Sequence, residues 1–401
     1  MLTPTLKKII HITYHMYTKT HDPGWFGLWS KCKIRNHRCG MQRSDVVQTA
    51  LPPKDTAYAA SLAAGLQASG LRAGERGLAL LSSSGDIDAL LAACRMLNAD
   101  VMLLPATAGP DEISQASAAL FPKFVVADVK DGPVKTAMTL EDLNAAMPLP
   151  DKMQASGETT AQVLFPSNLL DEVAAVFPCP QSMLLSSAKA IAARLGITAA
   201  DHLAVMAEAV HPVSVLMHLA AGETGAAISR CSGRVPKRGE IAGMPASATV
   251  LIVPDVEGLM ALIRGRVAYA PCLSGLRQMV VQAPGRMIPR AQKAFPGVQM
   301  LNSWSIAETA GLASLCDPAD PVDTAIRTHG RPLPGVEVMI VDPRTGLDNL
   351  LFERGEIWLR TRPRFQGYIG AKRGIGHIHR RDGFLRTGLM GMLDQEGRVI
   401  L

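Results

Sequence analysis

The sequence predicts an α/β protein: parallel sheets joined by crossover helices, with a smaller antiparallel β region toward the C-terminus. Three observations carry this. Short apolar runs alternate with Ala/Leu-rich segments of helical spacing, punctuated by Gly and Pro. The composition, 48% hydrophobic but only 4% aromatic over 401 residues, suits a large core built from Ala, Leu and Val. Around residues 336–342 and 355–360, apolar residues are interspersed with Glu337, Glu356 and Arg360, as in half-exposed strands.

The elements follow in order. Thr56 to Gly70 reads as a helix ended by glycine, then a turn leads to a buried strand, Leu78–Leu81. Ile87 to Asn98 is a second helix, Val101–Leu104 a strand stopped by Pro105, Asp111–Leu120 a helix and Phe124–Ala127 a strand. Strand, helix, strand, helix with short joins implies parallel pairing. Residues 132–158 are polar and read as a linker or surface loop. Gln162–Phe165 reads as a strand, Ser187–Leu195 as a helix and Leu203–Met206 as a strand. Val215–Leu219, Ala226–Ser229 and Val250–Val253 continue the alternation, followed by strands at Leu276–Val281 and Val298–Leu301. The runs around 336–342 and 355–360 read as antiparallel strands.

Charge is unevenly placed. Residues 1–40 hold seven Lys/Arg against one Asp, and the other 361 hold 34 of each sign, so the net +6 belongs to the first tenth of the chain. That arm also carries Trp25, Phe26, Trp29, Cys32, His37 and Cys39. Three readings stay open for it: a surface touching nucleic acid or anionic membrane, a transit-like leader, or upstream sequence read in frame ahead of Met41. The Cys32, His37 and Cys39 spacing fits no standard zinc pattern. No apolar run approaches the roughly 18 residues of a membrane span. Seven singly scattered cysteines point to a reducing, cytoplasmic setting and core thiols rather than disulfides. The neutral core is not expected to bind nucleic acid.

The chemistry-bearing stretch is Asn302 to Thr309, N-S-W-S-I-A-E-T, just past the strand Val298–Leu301. Loops at strand ends are where α/β proteins place ligands. Trp304 offers a flat ring able to stack on a base, and Glu308 a carboxylate able to hold a cation. An ordinary strand-to-helix turn is the competing reading. Other segments fall at sensible spacings around it: Gly70-Leu71-Arg72-Ala73-Gly74-Glu75-Arg76, Asn98-Ala99-Asp100-Val101 through Pro105, Gln282-Ala283-Pro284-Gly285, and Gly330-Arg331-Pro332-Leu333-Pro334-Gly335 with Ile340-Val341-Asp342. Then come Gly355-Glu356-Ile357, Gly367-Tyr368 and Asp382-Gly383-Phe384-Leu385-Arg386-Thr387-Gly388-Leu389.

Together these resemble the motifs of the adenylate-forming superfamily, the acyl-CoA synthetases, adenylation domains and luciferases, over roughly residues 45–401. The resemblance implies the large N-terminal domain of that superfamily, with two parallel-stranded α/β subdomains (about 45–325) and a small antiparallel β-barrel-like subdomain (about 326–401). Residues 1–44 would lie outside it as a basic arm, and the superfamily's small C-terminal domain is expected to be absent. The resemblance also implies ATP or AMP, Mg²⁺ and CoA as cofactors and a carboxylic acid or acyl group as substrate. Ser167, Ala283, Pro284, Ser303, Trp304, Ser305, Ala307 and Leu389 fall on its nucleotide-binding positions, Glu308 on its Mg²⁺ and catalytic position, and His211 on the loop that gates its acyl pocket. A core or capping role for His211 stays open.

The departures cluster on the nucleotide. The strand Gln162–Phe165 should feed a Gly-rich loop whose backbone N–H groups cradle phosphates. Here Pro166-Ser167-Asn168-Leu169-Leu170-Asp171-Glu172 has no Gly or Lys and adds two carboxylates. Ala307 stands for a phosphate-binding Thr and Leu389 for a ribose-binding Asp. The turn glycines at 330, 335, 355, 367, 383 and 388 remain. The expectation is therefore a pseudoenzyme: an acyl-CoA synthetase-like protein, catalytically impaired, serving as a binding or interaction module, with a protein partner or a second copy among its ligands. The alternatives are an acid–CoA ligase completed by a C-terminal domain in trans and a truncated reading frame. If the arm is separate from the core, limited proteolysis with intact-mass readout removes residues 1–40 first and leaves a fragment beginning near residue 45. A resistant fragment that keeps the arm contradicts this.

Overall fold

In the computed structural model, the described residues are 48–49, 53–128, 134, 137–144, 161–167, 176–231, 247–269, 273–369 and 382–401. They belong to one unit, Asp45–Leu401. The basic arm, residues 168–172 of the altered phosphate loop, and Cys32, Cys39 and Cys272 lie outside the described residues.

The chain begins with a two-residue strand β1 (Gln48–Thr49) and helix α1 (Pro53–Ala68). Strand β2 (Arg76–Leu81), helix α2 (Ser84–Leu97), β3 (Asp100–Pro105), α3 (Pro110–Leu120) and β4 (Phe124–Ala127) follow. A one-turn helix α4 (Leu140–Asn144) lies in the expected linker, and β5 (Gln162–Pro166) and β6 (Val176–Pro180) complete the first sheet. Its order is β4-β2-β3-β5-β6, parallel except for β6. Successive residues of β2 show why the run is continuously apolar: Leu78 and Leu80 face one buried cluster, Ala79 and Leu81 the other. Both faces of a parallel sheet are covered, so neither needs polar residues.

Helix α2 starts where the sequence supplies a cap. The Ser83 hydroxyl accepts from the Asp86 N–H at 3.4 Å, and Asn98 closes the helix in the left-handed conformation. The helix expected from Ser187 begins earlier, as α5 (Gln181–Leu195). Strand β6 escaped the sequence reading because V-F-P-C-P looks like a breaker. It lies at the edge of the sheet, laddered with β5 and bridged on its other side to Ile369 at Val176, so its prolines remove no needed ladder donor.

The second sheet runs β7 (His202–Val205), helix α6 (Pro212–Thr224), β8 (Ala227–Arg230), β9 (Val250–Val253), α7 (Val256–Tyr269) and β10 (Gln278–Val281). It ends with α8 (Ile288–Ala294), β11 (Gln299–Trp304), β12 (Ser314–Leu315), α9 (Thr324–Arg327) and β13 (Arg331–Pro332). Its order is β1-β8-β7-β9-β10-β11-β12-β13, with β8 to β11 mutually parallel and β1, β12 and β13 antiparallel. Residues after Thr309 do not continue as a helix: Ala310 and Gly311 turn the chain back so that β12 pairs with β11. One apolar core joins both sheets, from Ala79 and Val163 to Leu203 and Met279.

The last sheet is antiparallel, β14 (Val336–Val341), β15 (Gly355–Thr361), β16 (Leu385–Leu393) and β17 (Val399–Ile400). Two parallel-stranded α/β layers plus this sheet are the fold class the sequence predicts. No described helix is long and apolar enough to cross a membrane. The described cysteines Cys94, Cys179, Cys231 and Cys316 are buried and in no disulfide among the described residues.

Gly330 precedes β13 at φ +76°, and a Cβ there would lie 2.0 Å from the Cys316 nitrogen and from the Leu315 carbonyl carbon. Both atoms are backbone and cannot swing away. Gly330→Ala should therefore destabilise the protein by about 3 kcal/mol or more, seen as a lower urea midpoint with an unchanged m-value.

Candidate functional site

Strands β10 and β11 run parallel in register, Val281 beside Asn302, so the loops leaving them start level. Asn302 is fully buried and fixes both. Its side-chain amide donates to the Ala283 carbonyl at 2.9 Å and the Ala325 carbonyl at 3.2 Å, and its Oδ1 accepts from the Ala283 N–H at 3.2 Å. Ser303 donates its hydroxyl to the Val281 carbonyl at 3.0 Å. Ala283 is buried in the main core and Pro284 is half-buried beside it. Gly285 packs so closely on the Ile326 carbonyl that no side chain fits.

Trp304 is the last residue of β11 and is 2% exposed. It belongs to one buried cluster with Ile306, Ala313, Val336, Ile340, Ile357, Leu359 and Val399, and the half-buried Leu389 packs against that cluster. The ring thus lies in the seam between the second sheet and the antiparallel sheet, in the same cluster as the residue that replaces the expected ribose-binding Asp. The turn that carries Leu389 is fully built. The Glu356 carboxylate, 5% exposed, binds Arg386 and accepts from the Gly388 N–H at 3.1 Å. The Thr387 hydroxyl donates to the Ile357 carbonyl at 2.7 Å. Only the side chain at 389 departs from what such a turn would present.

Ser305 is half-buried, while Ala307 and Glu308 lie inside a buried 3₁₀ turn, Ala307–Thr309. Glu308 is 1% exposed. Its Oε1 accepts from the Ser167 hydroxyl at 2.6 Å and from the Tyr368 hydroxyl at 2.9 Å, and its Oε2 has no hydrogen-bond partner among the described residues. Burial pushes the Glu308 carboxyl above the usual range, against the Ser167 and Tyr368 bonds that lower it. Burial likewise raises the Tyr368 hydroxyl, helped by Glu308, so Tyr368 keeps its proton and is the donor. Phe365 meets the Tyr368 ring edge-on at 4.7 Å and stacks on Phe177 at 5.9 Å.

His211 caps α6: its Nδ1 accepts from the Val213 N–H at 3.2 Å, and burial lowers its pKa while Asp255 opposes this. It adjoins the central loop, since Gly311 packs on Pro212 and Leu216. A groove of about 420 Å³, lined in part by Phe295, Met300, Cys316, Asp317 and Val322, opens by the first residues of β11, and neither Trp304 nor Glu308 lines it.

The sequence reading missed two side chains here. Tyr368 was matched only as part of a Gly-Tyr pair, and nothing local announced that it reaches Glu308. His329 is 6% exposed beside Ala283, and burial lowers its pKa to about 4, so it is neutral.

Among the described residues, the groups gathered here offer one carboxylate, Glu308, and a hydrocarbon at position 389. Among the described residues no group of three or more His, Cys, Asp or Glu gathers as a metal site. Glu308 already accepts two hydroxyl bonds on one oxygen, and Leu389 offers no acceptor.

Residues 181–369 match the AMP-binding enzyme family. Among curated proteins, the chain is 29% identical over 187 residues to 4-coumarate–CoA ligase-like 6 of Oryza sativa subsp. japonica, covering 45% of this chain and 30% of that protein. It is 24% identical over 311 residues to the probable CoA ligase CCL5 of Humulus lupulus, covering 73% and 55%. The chain spans about a third to a half of the length of these two curated relatives. Among solved structures, ATP-bound MatB from Rhodopseudomonas palustris superposes with a TM-score of 0.72 at 20% identity, covering 86% of this chain and 72% of that one. O-succinylbenzoate CoA synthetase (MenE) from Bacillus subtilis, complexed with its acyl-adenylate OSB-AMP, gives 0.69 at 17%, covering 86% and 91%. At these identities the likeness speaks for the fold.

A carboxyl whose folded-state pKa lies above its unfolded value stabilises the fold fully only below the unfolded value, and that contribution is lost as pH rises through the folded one. Glu308 is such a group. The stability of the wild type relative to Glu308→Gln should therefore fall as pH rises above about 4.3, then level off. A flat difference between pH 4 and 8 in urea titrations contradicts this.

Proposed function

We propose, from the premise that this chain belongs to the adenylate-forming, AMP-binding superfamily, that it keeps the acyl-CoA synthetase-like scaffold without its nucleotide chemistry and serves as a binding module. Its ligand class is a carboxylic acid or acyl group, with CoA or a protein partner as further ligands. The observation that carries this reading is the shared apolar packing of Trp304 and Leu389. A nucleotide needs a stacking face and a ribose acceptor. Here the ring is 2% exposed and the side chain at 389 is a hydrocarbon packed on the same cluster.

The sequence of the phosphate-loop segment supports the same reading, since it lacks Gly and Lys and carries Asp171 and Glu172, negative charge in a stretch that would have to attract phosphate. Adenylation builds charge at the α-phosphate and depends on preorganised donors and a cation, and losing one such group typically costs on the order of 10²–10³ in rate. Such losses are not additive, but together they exceed any single one. The scaffold, by contrast, is intact: Glu356 holds the Gly388 turn, and Asn302 holds the Ala283 loop.

One observation favours the second reading, a ligase completed by a separate domain: Glu308 is retained, and its Oε2 is unpartnered among the described residues. Calorimetry with ATP and Mg²⁺, combined with pyrophosphate exchange over a panel of carboxylic acids, separates the two. The expected outcome is no ATP binding below the millimolar range and no acid-dependent exchange. Micromolar ATP affinity with exchange supports the ligase and rejects the binding module.

A further inference from the structure

Few large apolar side chains of the described residues face solvent, and most of those that do gather at one end of the antiparallel sheet. Leu347, Leu350, Leu351 and Phe352 stand in the hairpin between β14 and β15, and Met390 stands on β16. Their exposure runs from 40% at Met390 to 74% at Leu350. Single exposed apolar residues are ordinary, but a group of them marks a contact surface. The hairpin is also firmly built. The Asp342 N–H donates to the Leu347 carbonyl at 2.9 Å, the Asn349 N–H to the Ile340 carbonyl at 2.8 Å and the Glu353 N–H to the Leu350 carbonyl at 3.1 Å. The Phe352 N–H donates to the Leu393 carbonyl at 2.9 Å and Arg354 to the Met390 carbonyl at 3.4 Å, which lays the hairpin along β16. Phe352 takes φ +63°, a left-handed conformation that suits glycine and is costly for a bulky side chain. Its ring is half exposed, so burial returns little for that cost.

We propose that this end of the antiparallel sheet, with Leu350, Leu351 and Phe352 at its centre, is the surface on which a second copy of the chain docks. A two-fold contact sets a patch against itself, so the patch has to be self-complementary. Leucine and phenylalanine side chains satisfy that condition. The charges beside them satisfy it too: Arg344 and Arg354 stand near Asp348 and Glu353, two of each sign, and all four are exposed. Turned upon itself, the hairpin sets arginines of one copy against carboxylates of the other. An anionic lipid surface calls instead for basic residues around the apolar ones. Residues 342–354 hold two arginines against three carboxylates, a net charge of −1, which such a surface repels. A hairpin already fixed by its own hydrogen bonds loses little freedom on docking. The proposal takes up the protein partner of the binding-module reading and identifies it; to that extent it rests on that reading, and no nucleotide contact enters it.

The test is sedimentation velocity of the full chain over about 1–100 μM, the range suited to a small interface. The proteins are the wild type, Phe352→Gly, Arg354→Glu, and Arg354→Glu combined with Asp348→Arg. The wild type is expected to pass from monomer to dimer across this range. Phe352→Gly should weaken the dimer by about tenfold or more while its urea midpoint does not fall, because glycine suits the turn. Arg354→Glu should weaken the dimer as well, and adding Asp348→Arg should recover it, since the patch is again balanced in charge. A wild type that stays monomeric throughout overturns the proposal, as does a dimer that Phe352→Gly leaves unchanged. A lower urea midpoint in Phe352→Gly shows that the ring serves the fold, and a double variant no better than Arg354→Glu removes the self-complementary contact; either result overturns it. A monomeric wild type that co-sediments with phosphatidylserine vesicles gives the surface to lipid and overturns it too. Phe352→Gly carries the residue that the turn itself favours, so loss of folding does not mask the outcome. Nucleotide is absent from every arm, so these results judge the docking surface and the ATP titration separately judges the loss of nucleotide chemistry.

Discussion

A carboxylate with 1% exposure has to be held by something, and Glu308 is held by hydroxyls from two other sheets. Burying such a group without compensation is costly enough that the fold must supply donors or keep the proton. Here it does both. The consequence runs outward: Ser167 fixes the end of β5, Tyr368 fixes the segment after β15, and the Val176–Ile369 bridge closes the loop between them. One side chain thereby sets how three layers meet at the carboxyl ends of the strands, where a ligand would enter an α/β protein.

The second constraint is Asn302. A buried amide has donors and acceptors that must all be met. It meets them with the backbone of Ala283, Ala325 and Ser303. This ties the loop after β10 to the strand beside it and to α9. The two halves of the central octapeptide therefore do different work. Asn302 and Ser303 hold the backbone of neighbouring segments, while Trp304, Ile306 and Ala307 fill apolar space. In a nucleotide site the second half would face the ligand.

The α/β class and most strands were legible because both carry local signals: continuous apolar runs in the parallel strands, and apolar residues broken by Glu337, Glu356 and Arg360 after residue 336. Strand β6 was hidden by its prolines, which an edge tolerates. Helices α7 and α8 were passed over because Arg264, Gly265 and Arg266 in one and Pro289 in the other blur the helical stripe. The site was legible in part. Glu308 and Ser167 were named from their own motifs, and the structure brings them within 2.6 Å. Tyr368 was out of reach, since 60 residues of chain separate it from Glu308 and a contact of that span leaves no local pattern. Trp304 was read as a stacking ring from its type, and its environment comes from residues 336–359, which nothing in the octapeptide encodes.

The pairing of Trp304 with Leu389 bears on how such a site changes. An aspartate at 389 would place a charge against the apolar cluster that holds Trp304, at a desolvation cost unless a ligand or water satisfied it. Leucine removes that cost and adds apolar burial worth about 25 cal/mol per Å². The Trp304 ring fills the same seam. Both side chains favour the ligand-free packing of the scaffold, and neither takes part in the Glu356–Gly388 or Asn302–Ala283 contacts that hold the surrounding turns. On the proposed reading, stability and nucleotide recognition draw on separate atoms of the same loops, and that separation lets one be lost while the other is kept.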